Sequence, residues 1–155
     1  MTGHNPTDRS KLGSKRHILT DKYGIPLSVI ITSANTHDVT TVAIDTVDSM
    51  VLKRSSLQLN DRKKQNLCLD KAYHSKEVEQ EIFNRGYIPH IRHRREEKLF
   101  HRTHPAARRW VVERTNSWHN RFRKLFTRYE KKDENYLGLV QLANSLIVYR
   151  RIILG

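Results

Sequence analysis

The sequence predicts an α/β fold, and two observations predict it. Short β-type runs at Lys15–Thr20, Leu27–Thr32, Asn66–Asp70 and Tyr87–Ile91 alternate with stretches whose apolar residues recur at helical spacing. Turn residues separate the two kinds of segment. The chain has 155 residues, enough for one compact domain with a core, and shows no internal repeat and no sign of a second domain. The expected order is strand, strand, helix, strand, helix, strand, helix, helix.

Residues 1–14 are rich in Gly, Pro, Asn, Thr and Ser and read as irregular, leaving 15–155 as the domain proper. Asp21-Lys-Tyr-Gly24 is turn chemistry between two β-type runs, so Lys15–Thr32 is a hairpin. Its second strand, Leu27-Ser-Val-Ile-Ile31, is nearly all apolar and is expected to be central. Ser33–Asp38 is a polar loop, and Asp38 can cap a helix reaching about Arg54. A polar connection over 53–64 leads to a short buried strand at Asn66–Asp70. Ser75 caps the next helix, with Val78, Ile82 and Phe83 on one face and Gly86 at its end. Pro89 suits the following strand to an edge. After a charged loop at Arg92–Arg102, a helix is expected from about Pro105 to Tyr129. Val111, Trp118, Phe122 and Leu125 share its apolar face, and Glu113 falls on the opposite side. The last helix, about Glu134–Ile153, has Leu139, Leu142, Ala143, Leu146 and Ile147 as its apolar stripe.

Charge narrows the function. Lys plus Arg number 29 against 16 Asp plus Glu, a net +13. A fold does not need that excess, whereas an anionic partner explains it, with nucleic acid first. A membrane is not expected, because no apolar run is long enough to span one. One cysteine, Cys68, excludes an internal disulfide and a cysteine-rich zinc site, and fits a reducing cytoplasm. The nine histidines show no zinc-ligand spacing.

Two carboxylates carry the chemical reading. Asp70 closes an apolar strand, and a residue there faces the crevice at the strand's C-terminal end, where α/β sheets bind ligands. The plain alternative is a turn or capping aspartate. Glu113 stands among Arg108, Arg109 and Arg114 in a helix. Its plain alternative is a surface pair with Arg109, contributing about 0.3–0.5 kcal/mol. Brought together, two carboxylates suit Mg²⁺, which prefers oxygen ligands. Basic residues crowd the C-terminal half, with aromatics between them, which favours phosphate contacts by Arg109, Arg114, Arg121 and Lys124. Lys71, beside Asp70, either contacts DNA or balances charge. His37, Asp38 and His74 follow strands and could approach the site, or act as loop polar residues and caps. Trp118 and Phe122 read as core. Metal-dependent phosphoryl transfer on DNA follows, with part of the site not visible in the sequence.

Five segments carry a resemblance. Asn5-Pro-Thr-Asp-Arg-Ser-Lys-Leu-Gly-Ser-Lys-Arg-His17, Ser33-Ala-Asn-Thr-His-Asp38, Cys68-Leu-Asp-Lys-Ala-Tyr73, Arg108–Trp118 and Arg128-Tyr-Glu-Lys-Lys132 together resemble bacterial insertion-sequence transposases of the DDE type. The group is the one with the IS4-like catalytic domain, insertion sequence families four and five. The resemblance runs from Asn5 to Arg151. It implies a ribonuclease-H-like mixed sheet flanked by helices, and cutting and joining of DNA ends with two Mg²⁺ ions held by Asp, Asp and Glu. Asp70 matches the second Asp and Glu113 the Glu. Arg109 stands where the family's signature arginine does, four residues before Glu113. The signature's lysine has no clean counterpart: the seventh residue after Glu113 is Asn120, and Arg121 is one further.

The family's first Asp, on its first strand, has no match here. The resemblance therefore implies a C-terminal portion that lacks the first strand, either a decayed copy or the second frame of a frameshifted element, with an upstream reading-frame product as partner. It also implies a homodimer on DNA and a bacterial cytoplasmic, nucleoid-associated location. The competing reading is a non-catalytic basic DNA-binding remnant. A basic ribosome-associated protein ranks lower, because it gives Asp70 and Glu113 no role.

Overall fold

The computed structural model describes residues 2–4, 12–36, 40–52, 65–91 and 110–155. The chain divides into two compact units, Met1–His37 with Trp110–Gly155, and Asp38–Arg109. Where the sequence suggests one mixed sheet, the described strands form two small ones: an antiparallel three-stranded sheet and a parallel pair.

In the first unit, β2 (Leu12–Thr20) and β3 (Pro26–Ser33) form the expected hairpin, pairing Arg16 with Ile31 and Ile18 with Val29. Asp21 organises the turn. Its Oδ1 accepts from the backbone N–H of Tyr23 and of Ile25, both at 2.8 Å, and Gly24 takes φ +84°, a region that disfavours a side chain. The irregular stretch expected over 1–14 gives way at two places. β2 begins at Leu12, and β1 (Gly3–His4) pairs with Gly13 and Leu12. Among the described residues β2 is central in this sheet and β3 lies at an edge, where β3 was expected to be central. The apolar content of β3 has another cause, because Val29 enters the core formed by Leu125, Tyr136, Val140 and Ala143.

The long helix expected from Pro105 to Tyr129 is two helices in the described residues, α3 (Trp110–Asn120) and α4 (Arg123–Phe126), with a turn at Arg121–Phe122. Residues 92–109, including the expected helix start, lie outside the described residues. Val111 and Leu125 are buried as expected, while Trp118 and Phe122 are half-buried. Thr115 and His119 continue the inner face from Val111 at four-residue steps and are fully buried.

α5 (Asp133–Val148) buries Tyr136, Val140, Ala143 and Ile147, and a π turn over Tyr149–Ile153 follows it. The expected stripe was therefore rotated: Leu142 and Leu146 are exposed, and Tyr136 and Val140 take their places. Arg128 ties this unit together. It donates to Ser14 Oγ on β2 and to Asp133 at the start of α5, and its guanidinium lies 5.0 Å from the Tyr136 ring centroid.

The second unit contains α1 (Thr40–Asp48), β4 (Gln65–Leu69), α2 (Lys76–Asn84) and β5 (Tyr87–Ile91). Strand, helix and parallel strand make one βαβ unit, with Leu67 opposite Pro89. The Asp38 cap and the connection over 53–64 lie outside the described residues. Ser75 caps α2 as expected, its Oγ accepting from Val78 N at 3.2 Å. The Ser75 hydroxyl also donates to Glu77 at 2.6 Å, which holds the Glu77 carboxyl below its usual range. Val78 and Ile82 are buried, but Phe83 is exposed, so the apolar face of α2 is narrower than expected. Gly86 closes the helix at φ +81°. Arg85 clasps Asp48 through two bonds of 2.8 and 2.9 Å, joining the ends of α1 and α2, and these contacts raise its pKa. In β4 only Leu67 is buried, where a buried strand was expected.

Candidate catalytic carboxylates and basic surface

Asp70 follows the last residue of β4 and is exposed. Its carbonyl accepts from Tyr73 N at 3.0 Å, turning the chain into the short 3₁₀ helix Lys71–Tyr73 and on to the capped start of α2. A parallel strand ending in a turn to a helix is the position at which α/β proteins present ligand-binding side chains. The neighbouring Cys68 is exposed as a residue, but partial burial of its thiol, 3.7 Å from His90 Nδ1, pushes its pKa up.

Glu113 is exposed on α3, and its side chain makes no hydrogen bond or ion pair among the described residues. Its two followers fix the helix against the hairpin turn. Arg114 Nη1 donates to Tyr23 O at 3.2 Å, and Thr115 Oγ1 donates to Gly24 O at 2.6 Å. A Cβ at Gly24 would stand 3.2 Å from Val111 O and 3.3 Å from Thr115 Oγ1, so the turn and the helix meet closely there. Further along, fully buried His119 donates from Nε2 to Asn144 Oδ1 at 2.6 Å, and desolvation lowers its pKa. With Thr115 and His119 held inside, Glu113 is turned outward.

Asp70 belongs to the second unit and Glu113 to the first. Carboxylate oxygens are the hard donors that Mg²⁺ prefers, so the donor chemistry of these two residues fits that ion. Among the described residues no group of three or more His, Cys, Asp or Glu side chains is placed to hold a metal.

The basic residues divide by role. Arg114 is committed to the turn and stacks on Trp110, 4.4 Å from the ring centroid. Arg128, one of the basic residues in the crowded C-terminal half, is an internal brace. Arg121 and Lys124 are exposed. Arg121 lines a groove with Arg150 and Arg151, whose place at the end of an apolar helix carries no sequence pattern that marks them. His74 contacts Glu79 at 3.2 Å, the plain reading of a loop polar residue. Arg109, His37 and Asp38 lie outside the described residues, and Lys71 is placed only by its backbone.

The family model described as "Transposase DDE domain" matches residues 2–148. The chain belongs to the DDE transposase family. A Burkholderia cepacia protein named "Putative transposase for insertion sequence element IS402" is 35% identical over 151 residues, covering 97% of this chain and 70% of that protein. No solved structure matches the chain. Membership in the DDE family ties the chain to DNA transposition, and phosphoryl transfer on DNA is the chemistry of the family in general. No helix among the described residues is long and apolar enough to cross a membrane.

Proposed function

We propose that this chain contributes Asp70 and Glu113 to a metal-dependent centre that cleaves and joins DNA strands during transposition of an insertion sequence of families four and five. The supporting observation is the placement of Asp70 at the C-terminal end of a parallel strand, in the turn to a helix. Glu113, facing solvent from a helix whose neighbours are tethered, suits the second position. Bound divalent metal, with Mg²⁺ expected as two ions, would supply activation of the attacking oxygen and stabilisation of the leaving one. The chain's own residues hold that charge and orient the DNA: Asp70 and Glu113 offer oxygen ligands, while Arg121 and Lys124 neutralise phosphates. Arg109 and Lys71 are assigned to the same phosphate-binding role.

The ribonuclease-H-like arrangement belongs to this proposal, as do a homodimer bridging two DNA ends and a nucleoid-associated cytoplasmic location. Two carboxylates leave a two-ion clamp incomplete. The 155 residues alone are therefore expected to show little or no strand transfer. Mg²⁺-dependent cleavage by this chain that Asp70→Ala abolishes would overturn that expectation.

The DNA half of the reading is tested by duplex binding against salt concentration. Affinity should fall steeply with salt, and Arg121→Gln and Lys124→Gln should each reduce the slope by about one. Binding that ignores salt would overturn the phosphate contacts. The alternative, a non-catalytic basic DNA-binding remnant, predicts the same salt slope but no metal binding at Asp70 or Glu113.

A further inference from the structure

A groove of about 340 Å³ lies between α3 and the C-terminal end of α5, lined by Trp118, Arg121, Phe122, Ile147, Arg150 and Arg151. That volume is in the range of ligand pockets, roughly 300–1,000 Å³. Trp118 comes five residues after Glu113, about 140° around the helix, so this is not the face that carries the carboxylate. The floor is anchored from inside, since Ile147 is buried and Phe122 packs on the core around Leu125 and Val140. The rim is cationic. Among the described residues, Arg121, Arg150 and Arg151 have no carboxylate partner, and no acidic side chain lines the groove. Arg151 lies over the Trp118 ring, 4.7 Å from its centroid.

The backbone adds an independent observation. α5 gives way to a π turn over Tyr149–Ile153, the segment that supplies Arg150 and Arg151. Wider turns of this kind occur at helix C-termini, and this one sets Arg150 and Arg151 at the groove. An aromatic wall with three unneutralised guanidinium groups has two requirements for an occupant: a phosphate, and a flat face that can stack. Duplex DNA offers the phosphates but hides its base faces. A single strand offers both, and every base has such a face, so recognition of this kind tolerates sequence.

We propose that this groove binds single-stranded DNA, with a phosphate against Arg121 and Arg150 and a base stacked with Trp118 and Arg151. The inference rests on the DNA reading above, and narrows it to one strand at one place.

The test uses the full chain in which Trp110→Phe leaves Trp118 as the sole tryptophan, since the sequence has two. Oligothymidylate is titrated at low salt without metal, and a duplex of equal length is titrated in parallel. Trp118 emission should be quenched by the single strand. Trp118→Ala should weaken single-strand binding by about 5- to 150-fold, the range for loss of one stacked base. Arg150 is exposed, so Arg150→Gln keeps the fold. It should weaken single-strand binding more than duplex binding. If the duplex binds while the oligothymidylate neither quenches Trp118 nor responds to Arg150→Gln, the inference is overturned and the DNA reading stands. If neither nucleic acid binds, the DNA reading fails with it.

Discussion

The two units place their carboxylates by different means. In the first, Glu113 is set by side chains that reach across the unit: Arg114 to Tyr23, Thr115 to Gly24 and His119 to Asn144. In the second, Asp70 is set by main chain, through the register of β4 on β5, the turn to Tyr73 and the Ser75 cap of α2. One carboxylate depends on long-range polar contacts, of which the Thr115 bond to Gly24 is buried and the Arg114 bond to Tyr23 exposed. The other depends on a local strand–turn–helix motif. Substitutions should therefore damage the two positions through different interactions.

The largest effect is expected in the second unit, from its most buried apolar side chain. Ile82 is fully buried on α2, and Ile82→Ala should cost about 2–5 kcal/mol, read as a lower denaturation midpoint. A loss well under that range would mean that the βαβ unit relaxes into the space. In the first unit, Thr115→Val keeps the side-chain volume but leaves Gly24 O without its 2.6 Å donor. The expected cost is about 1–3 kcal/mol. If Gly24→Ala is combined with it, the two losses should not add, because both act on the same contact.

The smallest effect is a pH dependence confined to the first unit. His119 is buried and its pKa is lowered from 6.5 by desolvation, partly countered by its bond to Asn144. The unfolded chain thus takes up a proton near pH 6.5 that the folded chain resists. This contribution to stability is complete above that pH and is lost as pH falls toward the lower folded value. Thermal melts should show that decline in the native chain and a flatter profile in His119→Gln. Equal profiles would mean that the imidazole is not held neutral.

Local signals were the most legible part of the sequence. Asp21-Lys-Tyr-Gly24 gave the hairpin, Ser75 the cap and Gly86 the helix end, because each is decided within a few residues. Partner choice was not legible. The apolar β3 looked central because burial against α5 and burial within a sheet leave the same composition. The stripe on α5 came out rotated because Leu142 and Leu146 are as apolar as Val140, and only packing against Val29 and Leu125 distinguishes them. The sequence shows the charge of Arg114 and Arg128 but not the carbonyls and rings that they engage. Asp70 and Glu113 were legible as candidates from the residues around them, while Thr115 and His119 lack any pattern that marks them as supports.

The central claim is that Asp70 and Glu113 serve one metal centre. Mn²⁺ titration by calorimetry, on the native chain, Asp70→Asn, Glu113→Gln and the double variant, tests it most directly. The account predicts that either single substitution removes nearly all the binding that the double removes, as expected for ligands of a shared ion. Two independent, additive losses, or affinity unchanged by either substitution, would contradict it.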